Sequence, residues 1–244
     1  MSRCKAQRRA GSLFSGAGSA GGVFAAKQLQ RHAGGDVHIE LISRNNFFVF
    51  QPLLSEVAGG SIQPADAVSP LRLFLPGVRV RVAEVRKIDF SAKTVHVTVG
   101  RGAEITTVPY DQLVIALGQI VDLSRTPGLS DRALVMKDVM DAFRIRNHVL
   151  QCLEDADETT DSVRKSRLLT FVVIGGGFTG VEVIGEVQDL IGKSRRYYRN
   201  IRSDEIRIVL IQPVAGRLRD SIISGPEYTI SITPVMPSIH FLVW

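Results

Sequence analysis

The chain is short of the residues that several chemistries require. It has two cysteines in 244 residues, Cys4 and Cys152, which form neither a C-x-x-C pair nor a metal-ligand spacing. That excludes a dithiol as a redox element and fits a reducing compartment. Cys152 lies in the helical pattern HVLQCLEDA, where it reads as a buried apolar residue. The five histidines, His32, His38, His96, His148 and His240, are scattered without ligand spacing, so no metal centre is expected. No apolar run approaches the roughly 20 residues of a membrane-spanning helix. Acids are absent from residues 1–35, which hold Arg3, Lys5, Arg8, Arg9, Lys27 and Arg31, so the net charge of +6 sits there. No aromatics are interleaved with these bases, which argues against a nucleic-acid patch. No apolar h-region follows them, which argues against a signal peptide.

What is present centres on Leu168 to Leu190, LLTFVVIGGGFTGVEVIGEVQDL. Its opening apolar run is rich in β-branched residues, as a strand buried on both faces would be. Gly175-Gly176-Gly177-Phe178-Thr179-Gly180 follows, then apolar residues at helical spacing from Val181 to Leu190. Strand, glycine turn and helix without a gap are the setting that a G-x-G-x-x-G fingerprint needs. Gly175 permits the tight turn, Gly177 lets the backbone approach a pyrophosphate, and Gly180 lets helix and strand pack closely. The phosphates would then meet free N–H groups at a helix N-terminus.

Gly16-Ala17-Gly18-Ser19-Ala20-Gly21 repeats the fingerprint near the N-terminus, behind a short apolar stretch, Leu13 and Phe14. Val37, Ile39, Leu41 and Ile42 make the next strand, and Ser43 then Arg44 stand where an acid would normally bind the ribose hydroxyls. An aromatic cluster, Phe47, Phe48 and Phe50, leads into Gln51-Pro52-Leu53-Leu54 and a short helix. Alternating valines from Val78 to Val99, a turn at Gly100 to Gly102 and a return at Ile105 to Val108 indicate an antiparallel β-meander. Leu113 to Gly118 reads as another buried strand ending in glycine. Asp138 to Ala156 reads as a long helix, and the charged stretch Asp157 to Ser166 as a linker. Ile206 to Ile211 is the second strand of the second unit, and Gln212 takes the ribose position there. The expected fold is α/β, with two Rossmann-like units in tandem.

With these residues in view, the chain resembles the N-terminal part of a two-dinucleotide-binding flavoprotein, and within that class the type II NADH:quinone oxidoreductases. The motifs that carry the resemblance are Gly16 to Gly21, Ser43 to Ala58 with FQPLL at 50–54, Pro109 to Ala116, the helix around Arg144-Ile145-Arg146-Asn147, and Gly175 through Glu182. They cover about residues 12–220. The resemblance implies an FAD-binding domain over residues 1–165 and an NAD(P)H-binding domain over 166–244. It implies FAD held by Gly16, Gly18, Gly21, Ser43, Arg44, Ala116 and Gly118, with Gln51, Pro52 and Leu53 close to the flavin. It implies NADH or NADPH held by Gly175, Gly177, Gly180 and Gln212. Glu182 matches the family's acid near the stacked nicotinamide and flavin, and is the expected catalytic residue. Ser43 and Gln212 depart from the usual acids, and Leu117 from the usual threonine.

The chemistry so implied belongs to the cofactors. The expected activity is an FAD-dependent NAD(P)H dehydrogenase that passes electrons to a quinone. The alternatives are a non-catalytic nucleotide-binding fragment and, less favoured, a sulfide or disulfide reductase, against which the missing cysteine pair argues. The expected partners are a quinone, no nucleic acid, a membrane surface for full-length relatives only, and a homodimer as an open option. The location would be cytoplasmic or peripheral on the inner face of the membrane. The tail from Ser221 to Trp244 has no helical period and reads as truncated or out-of-frame sequence. A sheet lacking its later strands would leave an unpaired edge, so weak FAD retention and little quinone reduction are expected of the chain alone.

Overall fold

The computed structural model describes residues 12–15, 20–32, 37–100, 104–123, 129–214, 217–220 and 240–243. The elements begin with β1 (Ser12–Ser15), α1 (Ala20–His32), β2 (Glu40–Ser43) and β3 (Phe47–Val49). A 3-10 turn at Gln51–Leu53 leads into α2 (Leu54–Gly59), followed by β4 (Val68–Pro70) and α3 (Leu71–Phe74). Next are β5 (Arg79–Asp89), β6 (Thr94–Val99), β7 (Ile105–Pro109), β8 (Leu113–Ala116) and β9 (Ala133–Val135). The chain continues with α4 (Val139–Glu158), α5 (Ser162–Leu168), β10 (Thr170–Ile174) and α6 (Phe178–Arg195). It closes with β11 (Arg207–Val214), β12 (Arg217–Asp220) and β13 (His240–Val243).

The chain divides into two compact units. The first holds Met1–Phe50 and Val68–Gln119, and the second holds Gln51–Ala67 and Ile120–Trp244. The first contains a six-stranded sheet ordered β7-β6-β5-β2-β1-β8. Its β8-β1-β2-β5 part is parallel, and β5-β6-β7 is the antiparallel meander expected from the alternating valines. Strand β5 serves both parts: Arg79–Val82 pairs with β2, and Ala83–Asp89 pairs with β6 across an irregularity between Val85 and Lys87. Such bulges increase local twist and let one strand turn between two pairings. Val95 and Val97 bury one face of the meander against Ile42, Ala83 and Val108. On the other side, Val23 and Ala26 of α1 pack with Leu41, Phe48, Leu71 and Val80.

The second unit holds a five-stranded sheet ordered β12-β11-β10-β13-β9, parallel except for the β11–β12 pair. Val172, Val209, Ile211 and Leu129 form a core on it. Helix α4 buries Val139, Ala142, Ile145, Val149, Cys152, Leu153 and Ala156, which recur at three- and four-residue steps down one face. A capping box starts the helix: Asp138 accepts from the Asp141 N–H at 2.9 Å, and Asp141 accepts from the Asp138 N–H at 3.2 Å.

Two expectations are corrected. The stretch Leu113 to Gly118 is not a buried strand: β8 is outermost, and Val114, Ile115 and Leu117 are exposed. An apolar run becomes buried only if other elements cover it, and among the described residues β1 is the one strand that pairs with β8. The charged stretch at 157–166 is not a plain linker. Asp161 accepts from the Val163 and Arg164 N–H groups and starts α5, while Asp157 and Lys165 hold Asn200 and Glu205. Strand β10 is paired on both sides. The tail supplies β13, which pairs parallel with β10 on one side and β9 on the other. A short apolar run, His240–Val243, suffices because the ladder is made by backbone groups.

Ile145 is fully buried in α4. Ile145→Ala is expected to lower unfolding stability by about 2–5 kcal/mol, the range for emptying a well-packed aliphatic site. The shift of the urea midpoint at constant slope checks this.

Candidate functional site

In the first unit the candidate residues gather at the carboxyl ends of neighbouring parallel strands. Ser15 of β1 pairs with Ala116 of β8, and Phe14 pairs with Ile42 of β2, which puts Ser43 level with Ser15 and Ala116. Ligands of open parallel sheets bind in the crevice outside such strand ends. Ser43 is buried, and its hydroxyl accepts from the Asn45 N–H at 3.3 Å. Arg44 is exposed and donates to Glu84 at 3.3 Å. Gly21 stands in the first turn of α1 and is exposed. No acid occupies that turn. Gly118, just past β8, adopts a positive φ of 74°. Gly16 and Gly18 lie outside the described residues.

In the second unit the glycine turn is fully described. Ile174 pairs with Ile211 on one side and Val243 on the other, so β10 and β13 end level while β11 runs on to Val214. The Gly175 N–H then donates to the Ile211 carbonyl at 2.8 Å, and the chain turns with φ of 121° at Gly175. An L side chain at that φ is strained. Gly177 is the N-cap of α6, extended at φ −74° and ψ 179°, and it has no side chain with which to cap the helix. A Cβ built on it meets no atom within 4 Å, so the space in front of it is open. Gly180 is buried where α6 meets the sheet. Gln212 follows Ile211, whose carbonyl receives the Gly175 N–H, and pairs in register with Arg219. The ribose position read from sequence therefore lies within β11, one residue past the carbonyl that receives the Gly175 N–H.

The electrostatics of this turn suit an anion. The first turn of α6 carries no acidic residue, so the partial positive charge of the helix N-terminus is uncompensated there. Glu182 lies one turn further on and is exposed. Phe178, at the first helical position, is 92% exposed. Sequence reasoning did not single it out; the available signal is a large apolar residue at an x position of the fingerprint, where no strand or helix pattern needs it.

Gln51, Pro52 and Leu53 form a 3-10 turn that belongs to the second unit. Gln51 donates through Nε2 to the Lys137 carbonyl at 3.3 Å, just ahead of α4. The site residues thus fall into two groups. Gly21, Ser43, Arg44, Ala116 and Gly118 stand in the first unit, and Gln51, Pro52, Leu53, Gly175, Gly177, Gly180, Glu182 and Gln212 in the second. The Cys152 thiol is buried in α4 and pushed up to about 12 by that burial and by the nearby Asp155. A thiol held protonated is a poor nucleophile.

The profile of a family described as pyridine nucleotide-disulphide oxidoreductase matches residues 15–221. The type II NADH:quinone oxidoreductase NdhA of Mycobacterium tuberculosis is 38% identical over 196 residues, which cover 78% of this chain and 40% of that protein. The external NADH-ubiquinone oxidoreductase 2 of Saccharomyces cerevisiae mitochondria is 34% identical over 190 residues, covering 74% and 34% respectively. The structure of NDH2 from Plasmodium falciparum in complex with NADH superposes with a TM-score of 0.73 at 25% identity, covering 84% of this chain and 42% of that one. The chain therefore spans about 40% of the length of the first of these relatives.

Gly175 and Gly177 are expected to respond differently to alanine. Gly175→Ala forces a side chain into the positive-φ region and should lower stability by about 1–3 kcal/mol. Gly177→Ala adds a methyl to open space and should leave stability within about 1 kcal/mol of the parent. Thermal and urea unfolding of the two variants, side by side, provide the comparison.

Proposed function

Because the chain belongs to the pyridine nucleotide-disulphide oxidoreductase family, we propose that it binds a nicotinamide dinucleotide at the α6 turn and FAD at the strand ends of its first unit. The observation that carries this reading is the open, extended Gly177 at the N-terminus of α6, set directly after a buried parallel strand. The turn fits a pyrophosphate: there is space for the ligand, free backbone donors face it, and no carboxylate opposes it in the first turn. Gly175 makes the turn possible and Gly180 keeps the helix close to the sheet. In unit one, Gly118 and the level strand ends of β1, β2 and β8 support the flavin half of the proposal.

Bound together, the two cofactors would supply the redox chemistry, a hydride passing from nicotinamide to flavin and two electrons from flavin to a quinone. The chain's own part is to bind and orient. Gln51, held by the Lys137 carbonyl, fixes the turn that the family resemblance sets beside the flavin. Glu182 presents an acceptor on the exposed face of α6, where it can orient a nicotinamide carboxamide. Phe178 presents an apolar face at the mouth of the turn, where it can shield reacting rings from water. Ser43 accepts from the Asn45 N–H, and its own O–H can still donate to a ribose hydroxyl. The buried, protonated Cys152 supports a route that needs no protein thiol. The names of the relatives support quinone as the acceptor. No described helix is long and apolar enough to cross a membrane, and contact with a membrane surface remains part of the proposal for the longer relatives.

The test is NADH titration of the 244-residue protein, with flavin absorbance and quinone-dependent NADH oxidation measured after FAD addition. Gly177→Val should weaken NADH binding by about tenfold or more, roughly 1.4 kcal/mol, without moving the thermal transition. Equal affinity in parent and variant would remove Gly177, and with it the proposed nucleotide site.

Gln212 generates a second expectation. An amide does not repel a 2′-phosphate as a carboxylate does. NADH and NADPH should bind the parent within about tenfold of each other, and Gln212→Glu should shift the ratio toward NADH by about tenfold. An unchanged ratio would show that Gln212 does not read the ribose.

A further inference from the structure

Within the second unit, α2 is held in place by contacts too close to be general packing. Five of its six residues, Leu54, Ser55, Val57, Ala58 and Gly59, are buried. At Gly59 the backbone of α2 meets α6 directly. A Cβ there would come within 2.7 Å of the Glu186 Cβ and 3.0 Å of the Glu186 carbonyl oxygen. These are main-chain and stem atoms of α6, which cannot swing aside, so the approach requires glycine. At Gly60 the helix ends in a left-handed residue with φ of 75°, and a Cβ there would lie 2.9 Å from Nε of Arg146 in α4. The next residue, Ser61, donates through its hydroxyl to Oε2 of Glu186 at 2.6 Å. A charge-assisted hydrogen bond of this length is stronger than a neutral one. At the other end of the segment, Gln51 is bonded to the Lys137 carbonyl ahead of α4. The segment from Gln51 to Ser61 is thus held at its start by the Lys137 carbonyl ahead of α4 and at its end by Glu186 of α6, with Gly60 lying against Arg146 of α4.

We infer that Glu186 is a positioning residue. It fixes α2, and through it the Gln51-Pro52-Leu53 turn, to the helix that opens on the nucleotide turn. Glu182 and Glu186 are four residues apart on α6 and share one face. One presents its carboxylate to the exterior near the glycine turn, and the other spends its carboxylate on Ser61. A ligand that orders the first turns of α6 therefore also orders the segment carrying Gln51. The inference rests on the proposed nucleotide site for the identity of that ligand, and on geometry alone for the clamp.

Amide hydrogen exchange of the 244-residue protein, read by mass spectrometry on peptides spanning 51–61, tests both parts. Without ligand, Glu186→Ala should speed exchange over 54–61 by about tenfold. Glu186→Gln keeps an acceptor for Ser61 and should stay within about threefold of the parent. Ser61→Ala removes the same bond without touching α6, and is the deciding variant if Glu186→Ala does not fold. NAD+ should slow exchange over 51–61 in the parent and in Glu186→Gln. It should not do so in Glu186→Ala or Ser61→Ala, although calorimetry finds NAD+ bound to both. Unchanged exchange in both alanine variants would overturn the clamp, and persistent NAD+ protection in them would overturn the coupling. If calorimetry detects no NAD+ binding to the parent, the nucleotide site and the coupling fall together, and the clamp is then decided by the ligand-free exchange alone.

Discussion

The parallel pairing of β10 with a neighbour on each side is the constraint from which the second unit follows. Parallel strands cannot be joined by a tight hairpin; each must leave the sheet, cross over and return. Ile174, Ile211 and Val243 are in register, and β10 and β13 end there while β11 continues to Val214. The chain must then turn sharply after Ile174, with one N–H still bonded back to Ile211. Only a residue that tolerates φ of 121° makes that turn without strain, and Gly175 supplies it. The helix that follows begins at Gly177, which has no side chain to cap its first N–H groups. The proposed anion site rests on this backbone geometry before any side chain is considered.

Side chains then decide what the crevice can hold. The first turn of α6 lacks acids, so the field of the helix is not cancelled. Gly177 leaves open volume where any other residue would place a methyl group. Phe178 and Glu182 add an apolar surface and an acceptor at successive turns. None of these is a nucleophile, and the buried Cys152 is held protonated. This agrees with the proposal that the chain binds and orients reactive groups borne by cofactors.

The first unit reaches the same design with a different extension. Strand β5 begins as a member of the parallel sheet and ends as the first strand of an antiparallel meander. The buried Val95 and Val97 then cover a face that a second set of helices would otherwise have to cover. Between β3 and β4, the segment from Gln51 to Ala67 joins the second unit instead. It does so because Gly59 and Gly60 permit a closer approach to α6 and α4 than any larger residue would.

Much of this was determined by the sequence. The second glycine fingerprint, the apolar β10, the alternating valines of the meander and the spacing of α4 are local patterns. Each follows from the period of one element and the conformational freedom of glycine, so each could be read without neighbours. Tertiary structure decided the rest. The apolar run of β8 could not report that it lies at a sheet edge, because strand order depends on pairing partners far along the chain. The tail gave no sign that His240–Val243 would lie between β9 and β10, since backbone ladders carry little side-chain signature. Asp161 could start a helix in a charged stretch because its own carboxylate caps the first turn and distant partners anchor the ends. Likewise, Gly59, Ser61 and Glu186 become one feature only where α2 meets α6, and 125 residues separate the hydroxyl from its carboxylate. A local pattern states what an element can be; which elements touch is settled by long-range packing and hydrogen bonding, which no single stretch of sequence encodes.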